Sequence, residues 1–228
     1  MTMDVRTLLQ RAARDLAASG SPSPRLDAEV LLMHFLKIDR LELCLHPERE
    51  LSEEAAGFAE WVERRRQGEP VAYIVGEKEF WSLPFEVNRA VLIPRPETEC
   101  LVEEVLHWPD RETPGLRILD IGTGSGAVAV VLALEMPEAR VVATDISAGA
   151  LKVACRNAER HGLAGRVEFL QGDLFATASG CFDLIVSNPP YISDDFYPLL
   201  PKGIREFEPR EALVAGPPCA RPGATWFV

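Results

Sequence analysis

Short apolar runs alternate with longer amphipathic segments from residue 117 onward, and this alternation constrains the fold more than any other feature of the chain. The runs are rich in β-branched residues and cover residues 117–121, 140–145, 167–171 and 182–187. Segments with apolar residues at helical spacing follow the first two runs, at residues 127–134 and 148–161. Strands that alternate with helices in this way are typical of a parallel sheet, so we predict the Rossmann-like, doubly wound α/β class.

A glycine-rich turn joins the first predicted strand to its helix. Its sequence is Asp120-Ile121-Gly122-Thr123-Gly124-Ser125-Gly126, and Asp145 ends the second predicted strand. Glycines let the backbone approach a ligand closely, and an acid at the end of the second strand can bind ribose hydroxyls. The pattern predicts a nucleoside-containing cofactor and by itself fits both NAD and S-adenosylmethionine.

Two acidic residues favour S-adenosylmethionine over NAD. Asp120 comes two positions before the first glycine, where a carboxylate suits a cationic methionine portion. Asp173 follows the third predicted strand, where it can accept a hydrogen bond from an adenine amino group. Together with the motif after the fourth strand, these residues predict S-adenosylmethionine as the cofactor, with NAD as the alternative.

The fourth predicted strand ends at Ser187 and is followed by Asn188-Pro189-Pro190-Tyr191. Proline fixes φ and removes backbone donors, which leaves carbonyl oxygens free to accept hydrogen bonds. Asn188 adds a side-chain acceptor, and Tyr191 adds a flat aromatic face. These features suit a planar NH2 group, so we predict Asn188, Pro189 and Tyr191 as catalytic residues and residues 188–191 as the substrate site. The alternative is a turn that only ends the strand.

The first seventy residues predict a separate helical domain. Apolar residues at helical spacing indicate helices at 2–19, 26–36 and 41–45, and Ser52 is a candidate N-cap for a fourth helix. Three short extended pieces, at 71–75, 78–81 and 84–87, then predict a hairpin that links this domain to the rest of the chain. The stiff connector at 92–99 is expected to form a wall of the active site.

Several segments together resemble the peptide chain release factor glutamine N5-methyltransferases, the HemK/PrmC family. The motif at 188–191 is similar to one shared by glutamine-amide methyltransferases and by adenine-N6 or cytosine-N4 nucleic-acid methyltransferases. Segments 64–70, 79–83 and 92–99 resemble the release factor enzymes in particular. The resemblance extends from the predicted N-terminal helical domain to about Arg210.

The resemblance implies a class I S-adenosylmethionine-dependent methyltransferase domain joined through a β-hairpin to a small helical domain. The implied activity is methylation of the side-chain amide nitrogen (N5) of the glutamine in the Gly-Gly-Gln motif of release factors. We therefore expect a helical domain at 1–70 that binds the substrate protein, a hairpin linker at 71–92 and a methyltransferase domain at 93–215. Residues 188–191 would hold the glutamine, and the implied cofactor contacts are Gly122, Thr123, Gly124, Ser125, Gly126, Asp145, Leu174 and Asn188.

Residues 216–228 depart from the family pattern. The family continues with three further strands, whereas this stretch is proline-rich and shows no periodicity. We therefore expect an incomplete methyltransferase domain, an atypical tail at 216–228, and a truncation or frameshift after about residue 215. The fourth strand would then be a sheet edge with one side unpaired.

Composition narrows the partners and the compartment. The formal charge of -11 disfavours a nucleic-acid backbone as a direct partner. The five cysteines are scattered without a C-x-x-C pair, which favours reduced thiols in the cytoplasm over disulfides or a metal site. We expect no signal peptide and no membrane partner. Three alternatives to the release factor enzyme remain: a ribosomal-protein glutamine methyltransferase, an adenine-N6 nucleic-acid methyltransferase, and a catalytically dead chain that only binds.

Overall fold

The computed structural model describes residues 3–51 and 54–215, and the chain divides into two compact units. The first unit contains Met1–Gly76 together with Lys202–Phe207, and the second contains Glu77–Pro201 and the segment from Glu208 onward. The predicted cap at Ser52 and the predicted tail at 216–228 lie outside the described residues. The two units are described separately below.

The first unit is helical. Its core contains Leu16, Leu31, Leu32 and Phe58, all fully buried. Asp4 caps the first helix, because its side chain accepts a hydrogen bond of 2.7 Å from the Thr7 N–H. The elements are β1 (Met3–Asp4), α1 (Val5–Ala18), α2 (Pro24–Leu36), α3 (Arg40–Leu45), β2 (Glu50–Leu51), α4 (Glu54–Arg66), α5 (Val71–Val75) and, later in the chain, α9 (Lys202–Phe207), with β1 and β2 antiparallel.

The segment Val71–Val75 is a helix, whereas its sequence predicts an extended piece. Pro70 precedes it with φ of -59°, and Gly76 ends it with φ of 80°, in the left-handed region that favours glycine. Ile74 is buried in the core of the helical unit. Burial against this core therefore overrides the β preference of the valine and isoleucine side chains.

The second unit has the strands and helices that the alternating pattern predicts. The observed bounds differ from the predicted ones by at most two residues, and the last strand begins at Leu184 instead of residue 182. The elements are β3 (Glu77–Phe80), β4 (Leu83–Glu86), α6 (Glu99–His107), β5 (Arg117–Ile121), α7 (Ala127–Glu135), β6 (Arg140–Asp145), α8 (Ala148–Arg160), β7 (Val167–Gln171) and β8 (Leu184–Ser187).

Four parallel strands form the central sheet in the order β7-β6-β5-β8. The chain moves outward from β5 to β7 and then returns to place β8 on the other side of β5. This reversal of direction is the topological switch of doubly wound sheets, so the predicted fold class is confirmed. Within the described residues β8 pairs only with β5, as an edge strand.

One face of the sheet carries the main hydrophobic core of the second unit. Helix α7 is buried from Ala127 to Ala133, which explains why its sequence is apolar on every side. Its neighbours α6 and α8 add residues such as Val102 and Ala158 to the same core. On the opposite face, the buried cluster contains Leu119, Ile121 and Val142.

Helix α8 fastens the β3–β4 hairpin to the glycine turn through Asn157, which is fully buried. Its Oδ1 accepts from the Glu86 N–H at 2.7 Å, and its Nδ2 donates to the Glu86 carbonyl at 3.0 Å. The same Nδ2 donates to the Ser125 carbonyl at 2.8 Å. Arg156 also pairs with the Glu86 carboxylate, at 2.6 Å.

In the part of the chain that the structure describes, no helix is long and apolar enough to cross a bilayer. The same residues contain no group of three or more acidic, histidine or cysteine side chains placed to hold a metal ion.

Candidate active site

The carboxyl ends of the four parallel strands surround a cavity of about 480 Å³. This volume lies within the range of small-molecule and cofactor sites, about 300–1,000 Å³. The predicted site residues that line it are Asp120, Gly122, Thr123, Gly124, Ser125, Asp145, Asp173, Leu174, Asn188, Pro189 and Pro190. The fold therefore brings together residues from four strand ends that the sequence keeps apart.

The glycine turn is held open by backbone conformation and by hydrogen bonds to β6. Gly122 and Gly124 have φ of 73° and 56°, which side chains with a Cβ rarely adopt. The N–H groups of Gly122 and Thr123 both donate to the Thr144 carbonyl, at 2.8 and 3.0 Å. A Cβ at Gly122 or Gly124 would meet no atom within 4 Å, so the backbone of the turn faces open space.

Gly126 does not line the cavity. Its φ is 80°, and a Cβ there would lie only 2.9 Å from the Cβ of Ala154 in α8. This glycine therefore allows α7 and α8 to approach each other. This close packing of α7 against α8 fixes the end of the glycine turn.

Asp145 organises the strand ends around the cavity. Its Oδ2 accepts from the Gly124 N–H at 2.8 Å, and its Oδ1 accepts from the Ser147 N–H at 2.9 Å. Its backbone carbonyl accepts from the Gly172 N–H at 3.0 Å. Each carboxylate oxygen can accept a second hydrogen bond, so Asp145 can hold the turn and still accept from hydroxyl groups of a ligand.

Asp120 is a buried carboxyl group in the cavity wall. The Thr123 hydroxyl donates to its Oδ2 at 2.6 Å. Burial raises the pKa of Asp120 to about 6, the hydrogen bond from Thr123 opposes this rise, and the nearby charge of Asp145 adds to it. A cation bound beside Asp120 would favour its ionised form.

Asp173 and Leu174 form the part of the wall that follows β7. Leu174 has φ of 48°, an uncommon conformation for a residue with a side chain, and its side chain is exposed. An exposed apolar side chain therefore directly follows Asp173 in the cavity lining. Such a pair suits one flat heterocycle with an amino group at its edge.

The motif after β8 contributes Asn188, Pro189 and Pro190 to the cavity, but Tyr191 lies outside the lining. The Ser187 hydroxyl donates to the Ile121 carbonyl at 2.8 Å, which joins the ends of β8 and β5. The Asn188 Nδ2 donates to the Thr98 Oγ1 at 3.1 Å, so its Oδ1 points away from Thr98. Tyr191 is 73% exposed.

Two further segments line the cavity. Leu92, Pro94, Arg95 and Thr98 come from the connector before α6, so this segment forms the wall that its stiffness predicts. Residues 209–214 also line the cavity, through Pro209, Glu211, Ala212 and Val214. Sequence reasoning missed the contact of Thr98 with Asn188, since 90 positions separate the two residues. It also missed residues 209–214, although this stretch is similar to the family.

The chain matches two known protein families. Residues 7–76 match the PrmC N-terminal domain, and residues 98–197 match the methyltransferase small domain. The two matches fall on the helical segment and on the parallel sheet, respectively.

Individual proteins are similar over nearly the whole chain. The release factor glutamine methyltransferase of Nitratidesulfovibrio vulgaris is 48% identical over 213 residues, which cover 92% of this chain and 71% of that protein. The one from Moorella thermoacetica is 49% identical over 217 residues, with 94% and 76% covered. The one from Rhodopirellula baltica is 47% identical over 221 residues, with 93% and 74% covered.

Proposed function

Because this chain belongs to the release factor glutamine methyltransferase family, we propose that it methylates the side-chain amide nitrogen of the glutamine in the Gly-Gly-Gln motif of peptide chain release factors. The methyl donor is S-adenosylmethionine. One observation carries the proposal: a single cavity is lined both by the glycine turn and Asp145 and by Asn188 and Pro189. The proposed cofactor site and the proposed amide site therefore lie in the same cavity.

The cavity residues fit the chemical groups of S-adenosylmethionine. Asp145 can accept from ribose hydroxyls, and Asp173 from an adenine amino group beside the apolar Leu174. Asp120, ionised next to a cation, suits the methionine portion together with the open backbone of the glycine turn. When bound, S-adenosylmethionine supplies an electrophilic methyl group, whose bond to sulfur breaks as the amide nitrogen attacks.

The amide nitrogen of glutamine is a poor nucleophile because its lone pair is delocalised into the carbonyl. In this proposal the Asn188 Oδ1 and the Pro189 carbonyl accept hydrogen bonds from the two N–H groups of the substrate amide. Two fixed acceptors hold the nitrogen and direct its lone pair toward the methyl donor. Positioning of this kind contributes several kcal/mol to lowering a barrier, roughly 7–11 at its upper limit.

The remaining residues of the motif complete the substrate site. Pro190 gives the segment a fixed backbone and a lining surface, and Tyr191 packs on the face of the substrate amide from the rim. The attacking nitrogen loses one proton after the new bond forms, and water at the open rim accepts it. The reaction then needs no dedicated base from the chain.

We assign recognition of the release factor to the helical domain, predicted at 1–70, and methyl transfer to the domain predicted at 93–215. Val71–Val75, predicted as part of the linker at 71–92, belongs to the helical unit. A separate domain that binds the substrate protein adds affinity to that of the amide site. The net charge of -11 supports a protein partner over a nucleic acid. We place the reaction in the cytoplasm, where its substrate works.

A methyl-transfer assay with defined substrates tests the proposal. The purified chain is incubated with S-adenosylmethionine and a release factor, and mass spectrometry locates the methyl group. We expect one methyl group on the motif glutamine, and none on a release factor whose motif glutamine is replaced by glutamate. Preferred methylation of a ribosomal protein or of DNA would contradict the proposal. Cofactor binding without transfer to any of these substrates would also contradict it and would support a chain that only binds.

A further inference from the structure

Glu208 is a buried carboxylate that the proposed chemistry does not use. Its side chain is only 1% exposed. Burying a charge is unfavourable unless it is paired and hydrogen-bonded, so a residue of this kind normally holds specific partners. The partners of Glu208 come from a distant part of the chain.

Both partners lie on the connector at 92–99. The Glu208 Oε1 pairs with the Arg95 guanidinium at 2.5 Å, and its Oε2 accepts from the Ile93 N–H at 3.3 Å. More than a hundred positions separate Glu208 from both residues. One side chain therefore joins two segments that lie far apart in the sequence.

Each of the two segments that Glu208 joins contributes residues to the lining of the cavity. The connector contributes Arg95 and Thr98, and the segment that follows Glu208 contributes residues between 209 and 214. A loss of the Glu208 contacts would therefore remove the direct link between two segments of the cavity wall.

The same two segments are joined again through the substrate motif. On one side, the Asn188 Nδ2 donates to the Thr98 Oγ1 at 3.1 Å. On the other side, Ile192 forms a parallel bridge with Val214: its N–H donates to the Leu213 carbonyl at 3.0 Å, and its carbonyl accepts from the Ala215 N–H at 2.9 Å. The motif, the connector and the segment 208–215 thus form a closed ring.

We propose that Glu208 is a positioning residue, which closes this ring around the amide-binding end of the cavity and thereby holds Asn188 in its working orientation. The inference rests on the proposed function, because it assigns the substrate amide to Asn188. Glu208 acts through Arg95, Ile93 and Thr98 and does not itself touch the substrate. The cofactor end is built separately, since Asp145 and the glycine turn are held by β6 and α8.

This separation predicts a specific defect. Without the Glu208 contacts, the Asn188 amide is no longer fixed relative to Pro189, while the glycine turn and Asp145 retain their hydrogen bonds. Substitution of Glu208 should therefore lower kcat for methyl transfer and leave the Kd for S-adenosylmethionine nearly unchanged. A purely structural role would instead weaken cofactor binding and transfer together.

Two variants of graded severity test the proposal. Glu208→Gln keeps an acceptor for the Ile93 N–H but loses the charge that pairs with Arg95, and Glu208→Ala loses both. We expect kcat to fall about tenfold in the glutamine variant and about 100-fold in the alanine variant, with the cofactor Kd changed by less than about threefold. Glu77→Gln is the control. It removes a carboxylate that pairs with Arg160 at a distance of 2.6 Å, and neither residue lines the cavity. The control should behave like the wild type.

Amide hydrogen exchange provides a readout that does not depend on the substrate. Glu208→Ala should accelerate exchange at Ile93 and in residues 209–215, while exchange in the glycine turn stays unchanged. Wild-type kcat in a folded Glu208→Gln variant, or unchanged exchange at Ile93 in Glu208→Ala, would overturn the inference. If the wild-type chain binds cofactor but methylates no release factor, the proposed function fails, and the exchange result alone then decides whether Glu208 closes the ring.

Discussion

Asp120 shows at the scale of one residue how surroundings alter a side chain. The sequence predicts a carboxylate for a cationic ligand, whereas the structure shows a buried carboxyl group whose pKa burial raises to about 6. Near neutral pH such a group is partly protonated when no cation is present. Its charge then depends on what occupies the cavity.

The raised pKa of Asp120 gives a pH dependence of known sign. Between the ordinary value of 3.8 and about 6, the folded protein binds more protons at this site than the unfolded chain does. The contribution of Asp120 to the free energy of unfolding is therefore more favourable below pH 3.8 than above about pH 6, and it is lost as the pH rises between these values. A shift of about two units corresponds to about 3 kcal/mol.

Denaturant unfolding of the wild type and of Asp120→Asn measures this effect. The free energy of unfolding of the wild type minus that of the variant should fall by up to about 3 kcal/mol between about pH 4 and about pH 7. Contributions from other groups, such as Glu86, cancel in the difference. A constant difference over this range would show that Asp120 does not titrate as described.

The positions of individual residues in the cavity could be predicted where the local sequence around the end of one strand determines them. Asp145 and the glycines of the turn follow from the strand-turn-helix pattern alone. The bond between Thr98 and Asn188 could not be predicted, because it depends on how two distant segments pack. Tyr191 and Gly126 show the reverse case: their sequence positions suggested contact with a ligand, and the structure places both outside the cavity lining.

At the scale of elements, the side chain of Asn157 links α8 both to the β3–β4 hairpin and to the glycine turn. Asn157 satisfies the part-buried N–H and carbonyl of Glu86 and the buried carbonyl of Ser125. An unpaired buried polar group costs about 1–3 kcal/mol. The hairpin and the glycine turn therefore depend on the same amide.

Asn157→Ala should lower the free energy of unfolding by about 3 kcal/mol, because it leaves buried backbone groups without partners. Thermal or denaturant unfolding measures the change. Lys152→Ala, an exposed change on the same helix, is the control and should stay within about 0.5 kcal/mol of the wild type. Equal stability of the two variants would mean that water replaces the amide without loss.

The elements of the sheet domain follow from hydrophobic periodicity, whereas one element of the helical unit does not. Val71–Val75 has the composition of a strand and forms a helix, because Pro70 and Gly76 bound it and the core of the helical unit buries Ile74. A five-residue segment carries too little periodicity to separate the two structures. Its conformation is decided by packing, which the local sequence does not contain.

At the scale of the whole molecule, the family assignment from motifs is confirmed by relatives that are 47–49% identical over more than 90% of the chain. The parallel sheet and its strand order confirm the fold class as well. The composition of the compact units could not be predicted, since Lys202–Phe207 groups with the N-terminal helices although it lies far away in sequence. Long-range contacts of this kind leave no local signal.

The central claim is that Asn188 orients a glutamine amide for methyl transfer, and the Asn188→Ala variant tests it most directly. The measurement is the single-turnover rate of methyl transfer to the release factor glutamine, together with the Kd for S-adenosylmethionine in the same preparation. We predict a rate at least about 100-fold below that of the wild type, since one fixed hydrogen-bonding partner is removed, and cofactor binding that is retained in part. A near wild-type rate in the Asn188→Ala enzyme would contradict the claim.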